Sequence, residues 1–473
     1  MYSINRVLRY HQKENKHEQV VLGRAHEKGG NEYMGKLTFK GGIHPYEGKE
    51  LAKNQPVEKY LPKGDLVYPL SQHIGAPSVP CVQKGDTVLA GQKIADAGGF
   101  VSVPLHASVS GTVKGIEKHL NATGSMVDCI VIENDQQYQE VEYQESRLED
   151  LTKEEILNRI KEGGVVGMGG AGFPTHVKLA PKDPSRIEYI LVNGAECEPY
   201  ITSDYRRMIE EPEKVVKGLQ VILTLFDSAK GYICIEDNKP DCIAKMKELV
   251  KDIDRIEVKE VMTKYPQGGE RTLIYAATGR EINSSMLPAD VGCVVDNVET
   301  VISVYKAVIL GRPVNSRVVT MSGDGIKEPK NLLVLSGTDM SELVDAAGGL
   351  KAKIAKAISG GPMMGFALYD LHVPCTKTTS AFLFLEHDAV SEAQEIQTAC
   401  INCGRCVSVC PGHVLPARLA KLAERGDMAG FEAMDGMECC ECGCCSYICP
   451  AKRPLTQSIK SMRKMVLASR RKK

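Results

Sequence analysis

Two cysteine runs constrain this chain more than any other feature. CINCGRCVSVCP, residues 400–411, and CCECGCCSYICP, residues 439–450, each contain C-x2-C-x2-C-x3-C followed by proline. The first run selects Cys400, Cys403, Cys406 and Cys410, ahead of Pro411. The second selects Cys439, Cys442, Cys445 and Cys449, ahead of Pro450, and leaves Cys440 and Cys444 spare. This is the spacing of bacterial [4Fe–4S] sites, and zinc sites rarely crowd three cysteines ahead of a Cys-Pro. Two matching runs read as a two-cluster module, in which the fourth cysteine of each run serves the other cluster. One expected ligand set is therefore Cys400, Cys403, Cys406 and Cys449. The other is Cys439, Cys442, Cys445 and Cys410. A pair of zinc sites or a disulfide knot is the alternative, disfavoured by the duplicated spacing and both prolines.

The rest of the chain must serve such a module. Its 473 residues leave room for three or more domains. A net charge of −1 gives no reason to expect a nucleic-acid partner. No stretch of about 18 apolar residues predicts a membrane-spanning helix. The opening MYSINRVLRYHQKENKHEQ lacks the apolar core of a signal peptide, so a reducing cytoplasm is expected. The seven scattered cysteines, Cys81, Cys129, Cys197, Cys234, Cys242, Cys293 and Cys375, are expected to be mostly buried small apolar residues.

Local patterns divide the chain into a multidomain α/β protein. Residues 1–34 are polar and read as a disordered extension. Residues 35–137 carry short alternating strands broken by Lys-Gly-Asp and Ala-Gly-Gln turns. They resemble the barrel-sandwich fold of lipoyl and biotinyl carriers. The stretch Ala95 to Pro104, where a carrier bears its modified lysine, has none, so no swinging arm is expected. Residues 138–316 begin with a helical patch, LTKEEILNRIKEGG, and then alternate strand and helix signals. That alternation predicts a layered domain with parallel strands. Residues 317–389 read as a smaller α+β unit. Residues 390–473 hold the cysteine runs, a helical spacer LPARLAKLAERG and a basic tail. The tail reads as a solvated helix end, with an anionic lipid or acidic partner as the alternative.

The second chemical signal is GVVGMGGAGFPTHVK, residues 164–178, where five glycines crowd a strand-to-helix position. Such a loop lets backbone N–H groups approach a phosphate or a ring. Without the Lys-Ser/Thr of a Walker loop the pattern alone is weak.

Its context strengthens it. GMGGAGFPTHVK resembles the flavin loop, GRGGAGFPTGLK, of the NADH-binding flavoprotein subunit of respiratory complex I. VNGAECEP, YPQGGERTL and DNVET follow in the same order as that family's NADExEP, GEETAL and NNVET segments. The whole order of modules, from KGGIHP to the paired cysteine runs, resembles the RnfC family of the Rnf electron-transport complex. The resemblance covers about residues 35–460. It implies an FMN and NADH-binding α/β domain, a β-grasp (SLBB-like) domain after it and a two-[4Fe–4S] ferredoxin-like module.

Carried over by position, the resemblance implies contacts to flavin or dinucleotide from Gly167, Gly169, Gly170, Ala171, Gly172, Phe173, Lys178, Asn193, Glu196, Glu270 and Asn297. Met168, Ala195 and Arg271 depart from the pattern, which has an arginine, an aspartate and a second acid at these places. Glu196 has a plainer reading as a helix cap. No catalytic acid, base or nucleophile is expected, because the cofactors carry the redox chemistry.

The resemblance further implies exchange of electrons between NAD(H), FMN and two [4Fe–4S] clusters within an ion-translocating ferredoxin:NAD+ oxidoreductase. Partners would be the integral-membrane and iron–sulfur subunits, with ferredoxin reached indirectly. The location would be peripheral, on the cytoplasmic face of the bacterial cell membrane. A soluble NADH-dependent cobalamin reductase of a bacterial microcompartment is the alternative enzyme. An electron relay without a working NADH site is the third reading.

Overall fold

Short strands punctuated by tight turns build the first module. The computed structural model describes residues 36–471; the extension expected over residues 1–34 lies outside them. The turn at Lys84-Gly85-Asp86 is closed by the Asp86 carboxylate, which accepts from the Gln83 N–H at 2.8 Å. Around it run β2 (Leu66–Pro69), β3 (Val79–Pro80), β4 (Thr87–Val88), β5 (Lys93–Asp96), β6 (Leu105–His106), β7 (Gly111–Leu120) and β8 (Met126–Asn134). They form two sheets, β2-β8-β7-β4 and β3-β5-β6. Leu66, Tyr68, Ile94, Leu105, Ile130 and Ile132 fill the space between them.

The residues ahead of the barrel do not belong to it. Leu37 bridges Val261 and Ile43 bridges Tyr265, while β1 (Val57–Lys59) pairs in parallel with β14 (Lys330–Leu335). Residues 37–59 are thus a strap across the two domains that follow. Strand propensity cannot show this, because the partners lie some two hundred residues downstream.

Strict alternation within four apolar strands explains the second module. β9 (Tyr189–Gly194), β10 (Lys230–Glu236), β11 (Ile256–Val261) and β12 (Cys293–Asn297) form a parallel sheet in the order β11-β10-β9-β12. Ile190, Val192, Ile233, Ile235 and Val294 face helices Lys153–Glu162, Pro212–Leu223, Pro240–Val250 and Val298–Val308. Leu191, Cys234, Cys293 and Val295 face helix Glu270–Thr278 on the other side. Burial on both faces is the normal state of a parallel sheet. The helical patch seen in sequence starts with a capping box, in which Thr152 and Glu155 satisfy each other's backbone donors.

β13 (Ser316–Ser322), β14, β15 (Lys356–Ser359), β16 (Phe366–Leu368) and β17 (Ala381–Leu385) make the third module. Its sheet runs β1-β14-β13-β17-β15-β16, so the strap supplies an edge strand. Helix Met340–Ala346 packs on it through Met340, Leu343 and Val344.

The cysteine module is helical. Its spacer forms helix Pro416–Glu424, and the basic tail continues into helix Leu455–Arg471. Ile459, Met462 and Val466 recur every three to four residues and are buried, so this helix is a structural wall with one basic face. Among the described residues no helix is long and apolar enough to cross a membrane. Cys129, Cys234, Cys242, Cys293 and Cys375 are buried as expected, whereas Cys81 is exposed and Cys197 half-buried.

Candidate flavin and iron–sulfur sites

The sheet order places one site. β10 and β11 lie on one side of β9, and β12 lies on the other. Such a reversal opens a crevice beyond the carboxyl ends of the strands. Asn193 lies near the end of β9 and Asn297 ends β12, and the two are paired in register. Asn297 also starts helix Val298–Val308, its Oδ1 accepting from the Glu299 N–H at 2.9 Å. Its Nδ2 donates to the buried Asp204 carboxylate at 2.6 Å. Burial pushes that carboxyl up to about 6. The Asn193 Nδ2 donates to the Gly268 carbonyl at 2.8 Å.

The glycine loop closes over this crevice. Val166 bridges Pro174, and the Gly167 N–H donates to the Phe173 carbonyl at 2.8 Å. The Met168 N–H donates to Thr300 Oγ at 2.9 Å, and the buried Arg317 guanidinium donates to the Met168 carbonyl at 3.2 Å. The departure from arginine at position 168 therefore puts an apolar side chain into the core, while a guanidinium from β13 supports the loop from below. Gly169, Gly170 and Ala171 remain exposed. A Cβ on Gly169 would sit 2.9 Å from the Asn297 Cβ, so only glycine lets the loop lie this close to the strand end.

Lys178 follows on the short helix Thr175–Lys178. Its Nζ donates to the Val295 carbonyl at 2.7 Å and pairs with Asp296 at 3.1 Å. Asp296 is 1 % exposed, burial raises its carboxyl, and its Oδ2 has no hydrogen-bond partner. Glu270 opens helix Glu270–Thr278; burial pushes its carboxyl up, while the nearby Lys178 opposes the shift. The structure thus brings Gly169, Lys178, Glu270 and Asn297 together with Asp296.

Glu196 is engaged elsewhere. It accepts from the Asp204 N–H at 2.6 Å and the Tyr205 N–H at 3.3 Å, capping helix Ser203–Glu210. Lys49 of the strap lies 3.9 Å from its carboxylate. Burial pushes this carboxyl up to about 7. Asp296, Thr300 and Arg317 are site residues that sequence reasoning missed. The first two flank Asn297 in or beside the DNVET motif; nothing in the sequence around Arg317 marks it.

The cysteine runs interleave. Cys400, Cys403, Cys406 and Cys449 line one cavity of about 180 Å³ that is otherwise mostly apolar. Cys410, Cys439 and Cys445 share an apolar cluster with Leu419, Phe431 and Ile459. Cys442 packs beside them against Tyr265, Ile43 and the spare Cys444. Burial pushes the Cys439 thiol up to about 11 and Cys445 up to about 12. Buried thiols of this kind are inert unless a metal takes the proton's place. Among the described residues no three such side chains converge on a single-ion site; the first four ring a volume instead.

The two candidate sites are joined. The Tyr265 hydroxyl donates to the Cys442 carbonyl at 2.8 Å, and the Gly42 N–H donates to the Val409 carbonyl at 2.8 Å. The second cysteine set therefore faces the crevice domain, while Cys400 and Cys403 are exposed.

Comparison with known proteins agrees module by module. Residues 37–137 match the RnfC barrel sandwich hybrid domain, and residues 160–306 match the Nuo51 FMN-binding domain. Residues 318–367 match the SLBB domain and residues 394–415 a 4Fe-4S binding domain. These modules together define a flavin and iron–sulfur oxidoreductase subunit. The chain is 46% identical over 391 residues to the RnfC-type subunit of the proton-translocating ferredoxin:NAD(+) oxidoreductase complex of Clostridium ljungdahlii, covering 82% of this chain and 85% of that one. It is 42% identical over 444 residues to the corresponding subunit of the Na(+)-translocating complex of Acetobacterium woodii, covering 92% and 98%. The equivalent subunit of an ion-translocating oxidoreductase complex of Vibrio cholerae is 38% identical over 407 residues, and the match spans 52% of its length. The chain belongs to the RnfC family, one subunit of the ion-translocating ferredoxin:NAD(+) oxidoreductase complexes. These relatives favour the complex over the cobalamin reductase.

Proposed function

We propose that this chain is the NAD(H)-handling subunit of its complex, passing electrons between NAD(H), FMN and two [4Fe–4S] clusters. The observation that carries this is the seating of the Cys442 loop on Tyr265, which places a cysteine set beside the crevice domain. A flavin, when bound, exchanges hydride-borne electron pairs with the single electrons that iron–sulfur clusters carry.

The residues present suit these groups. The exposed backbone of Gly169–Ala171 gives a ring or phosphate close approach. Lys178 offers a cation to the phosphate end, and its pairing with Asp296 fixes its direction. Asn297 holds the loop's neighbour strand and the helix behind it in one register. Glu196 supports the site by capping helix Ser203–Glu210, whose Asp204 receives the Asn297 amide. Cys400, Cys403, Cys406 and Cys449 would hold the outward cluster, and Cys410, Cys439, Cys442 and Cys445 the inward one.

With no spanning helix among its described residues, the chain would sit peripherally on integral subunits, at the cytoplasmic face of the membrane. Ferredoxin would be reached through those subunits.

Anaerobic purification with iron, sulfide and flavin analysis tests the reading, followed by an NADH titration watched at the flavin and cluster bands. About eight irons and one FMN per chain, with both bands bleached, is the expected result. Iron without bleaching would reduce the chain to a relay.

A further inference from the structure

Arg271 stands where the related flavoproteins carry an acid, and its side chain does not turn to the crevice. Its Nη1 pairs with the Glu438 carboxylate at 2.9 Å and also lies 3.4 Å from the Glu438 carbonyl. The same carboxylate accepts from the Ser284 backbone N–H at 2.9 and 3.1 Å and from the Ser284 hydroxyl. Three donors of the flavin-binding domain therefore converge on one carboxylate of the cysteine module. That carboxylate belongs to the residue directly before Cys439. Arg271 in turn directly follows Glu270, which opens the helix beside the crevice.

We infer that Arg271 and Glu438 form an interdomain latch. It seats the Cys439 loop on the flavin-binding domain and sets the separation between the glycine-loop site and the cysteine set Cys410, Cys439, Cys442 and Cys445. Arg271 is a positioning residue here, acting through Glu438 on the loop. The substitution of arginine for an acid exchanges a crevice-facing carboxylate for a cation that binds the neighbouring module.

The remaining contacts make the latch local. On the other side of the loop, Tyr265 holds the Cys442 carbonyl, and Gly42 holds Val409. Gly41 comes so close that a Cβ there would sit 3.0 Å from the Cys410 carbonyl oxygen. Losing Arg271 leaves these contacts in place, so the loop is freed at its Glu438 end while the module stays attached.

The test uses the full chain carrying Arg271→Gln, Arg271→Lys, Glu438→Gln, or the Gln–Gln pair. Hydrogen–deuterium exchange of residues 436–443 is the first readout. Arg271→Gln is expected to speed it roughly fivefold, the scale of losing one half-buried ion pair. Arg271→Lys should recover most of the protection. The double variant should exchange no faster than Arg271→Gln alone, because both changes remove one shared interaction. Unchanged exchange in Arg271→Gln, or additive effects in the pair, would overturn the latch.

The second readout is stopped-flow reduction by NADH. It rests on the function proposed above. In Arg271→Gln the flavin band should bleach at the wild-type rate and the cluster band should lag, with iron content unchanged. Slower flavin bleaching would instead place Arg271 in the dinucleotide site and overturn the inference. A wild-type chain that shows no NADH bleaching refutes the proposed function, and the exchange experiment then decides the latch by itself.

Discussion

Lys377 offers a quantitative test of how the modules are held together. It is 2 % exposed, and its Nζ donates to the Pro104 carbonyl of the barrel at 2.9 Å and the Gly164 carbonyl of the flavin-binding domain at 2.7 Å. No carboxylate compensates its charge, and burial alone pushes its ammonium down from 10.5 to about 7. Below pH 7 the lysine is protonated in both folded and unfolded states, and the folded state bears the full desolvation cost. Between pH 7 and 10.5 the unfolded chain binds more protons than the folded one, so stability rises with pH. The full difference is on the order of 5 kcal/mol, at about 1.4 kcal/mol per pH unit. From pH 7.5 to 9.5 this residue should add about 2–3 kcal/mol. The perturbation is Lys377→Met, which removes the titrating group and leaves two carbonyls without their donor. Denaturant or thermal unfolding at several pH values would measure the difference between wild type and variant. The variant should close the gap to wild type as pH falls toward 7 and fall behind as pH rises. A wild-type-to-variant difference that stays flat from pH 7.5 to 9.5 would refute the reasoning.

Three further outcomes follow from the sites. Cys449→Ser should lose the same cluster as Cys400→Ser and leave the one that Cys439→Ser removes, read by iron content falling from about eight to about four and by matching electron paramagnetic resonance spectra. Asn297→Ala removes a helix cap and the donor to buried Asp204; a loss of about 1–2 kcal/mol in unfolding free energy and weaker flavin retention are expected, and unaltered retention would take Asn297 out of the site. Gly169→Ala forces a methyl against Asn297 and should lower bound flavin in the purified chain while leaving iron content unchanged.

The cysteine sets were legible because their information is local. Spacing within twelve residues selects the ligand candidates, and the crossing of the fourth cysteines is visible in the lining of the Cys400 cavity by Cys449. The parallel sheet was legible for a similar reason, since apolar strands alternating with helices leave few other packings. The glycine loop could be singled out, yet its neighbours could not be ranked. Asn297 and Glu196 look alike in sequence as polar residues after a strand, and one lines the crevice while the other caps a helix.

What only the tertiary structure decided lies between modules. The strap of residues 37–59 reads as the start of the barrel until it pairs with Val261, Tyr265 and β14. Arg271 reads as a damaged site residue until Glu438, 167 positions away, is found beside it. Lys377 carries no signal at all until Pro104, 273 positions away, accepts its hydrogen bond. Ligand spacing and strand patterning depend on neighbours a few residues apart, which the sequence states directly. Latches and buried cations depend on which surfaces meet after folding, and that is determined by the packing of whole domains.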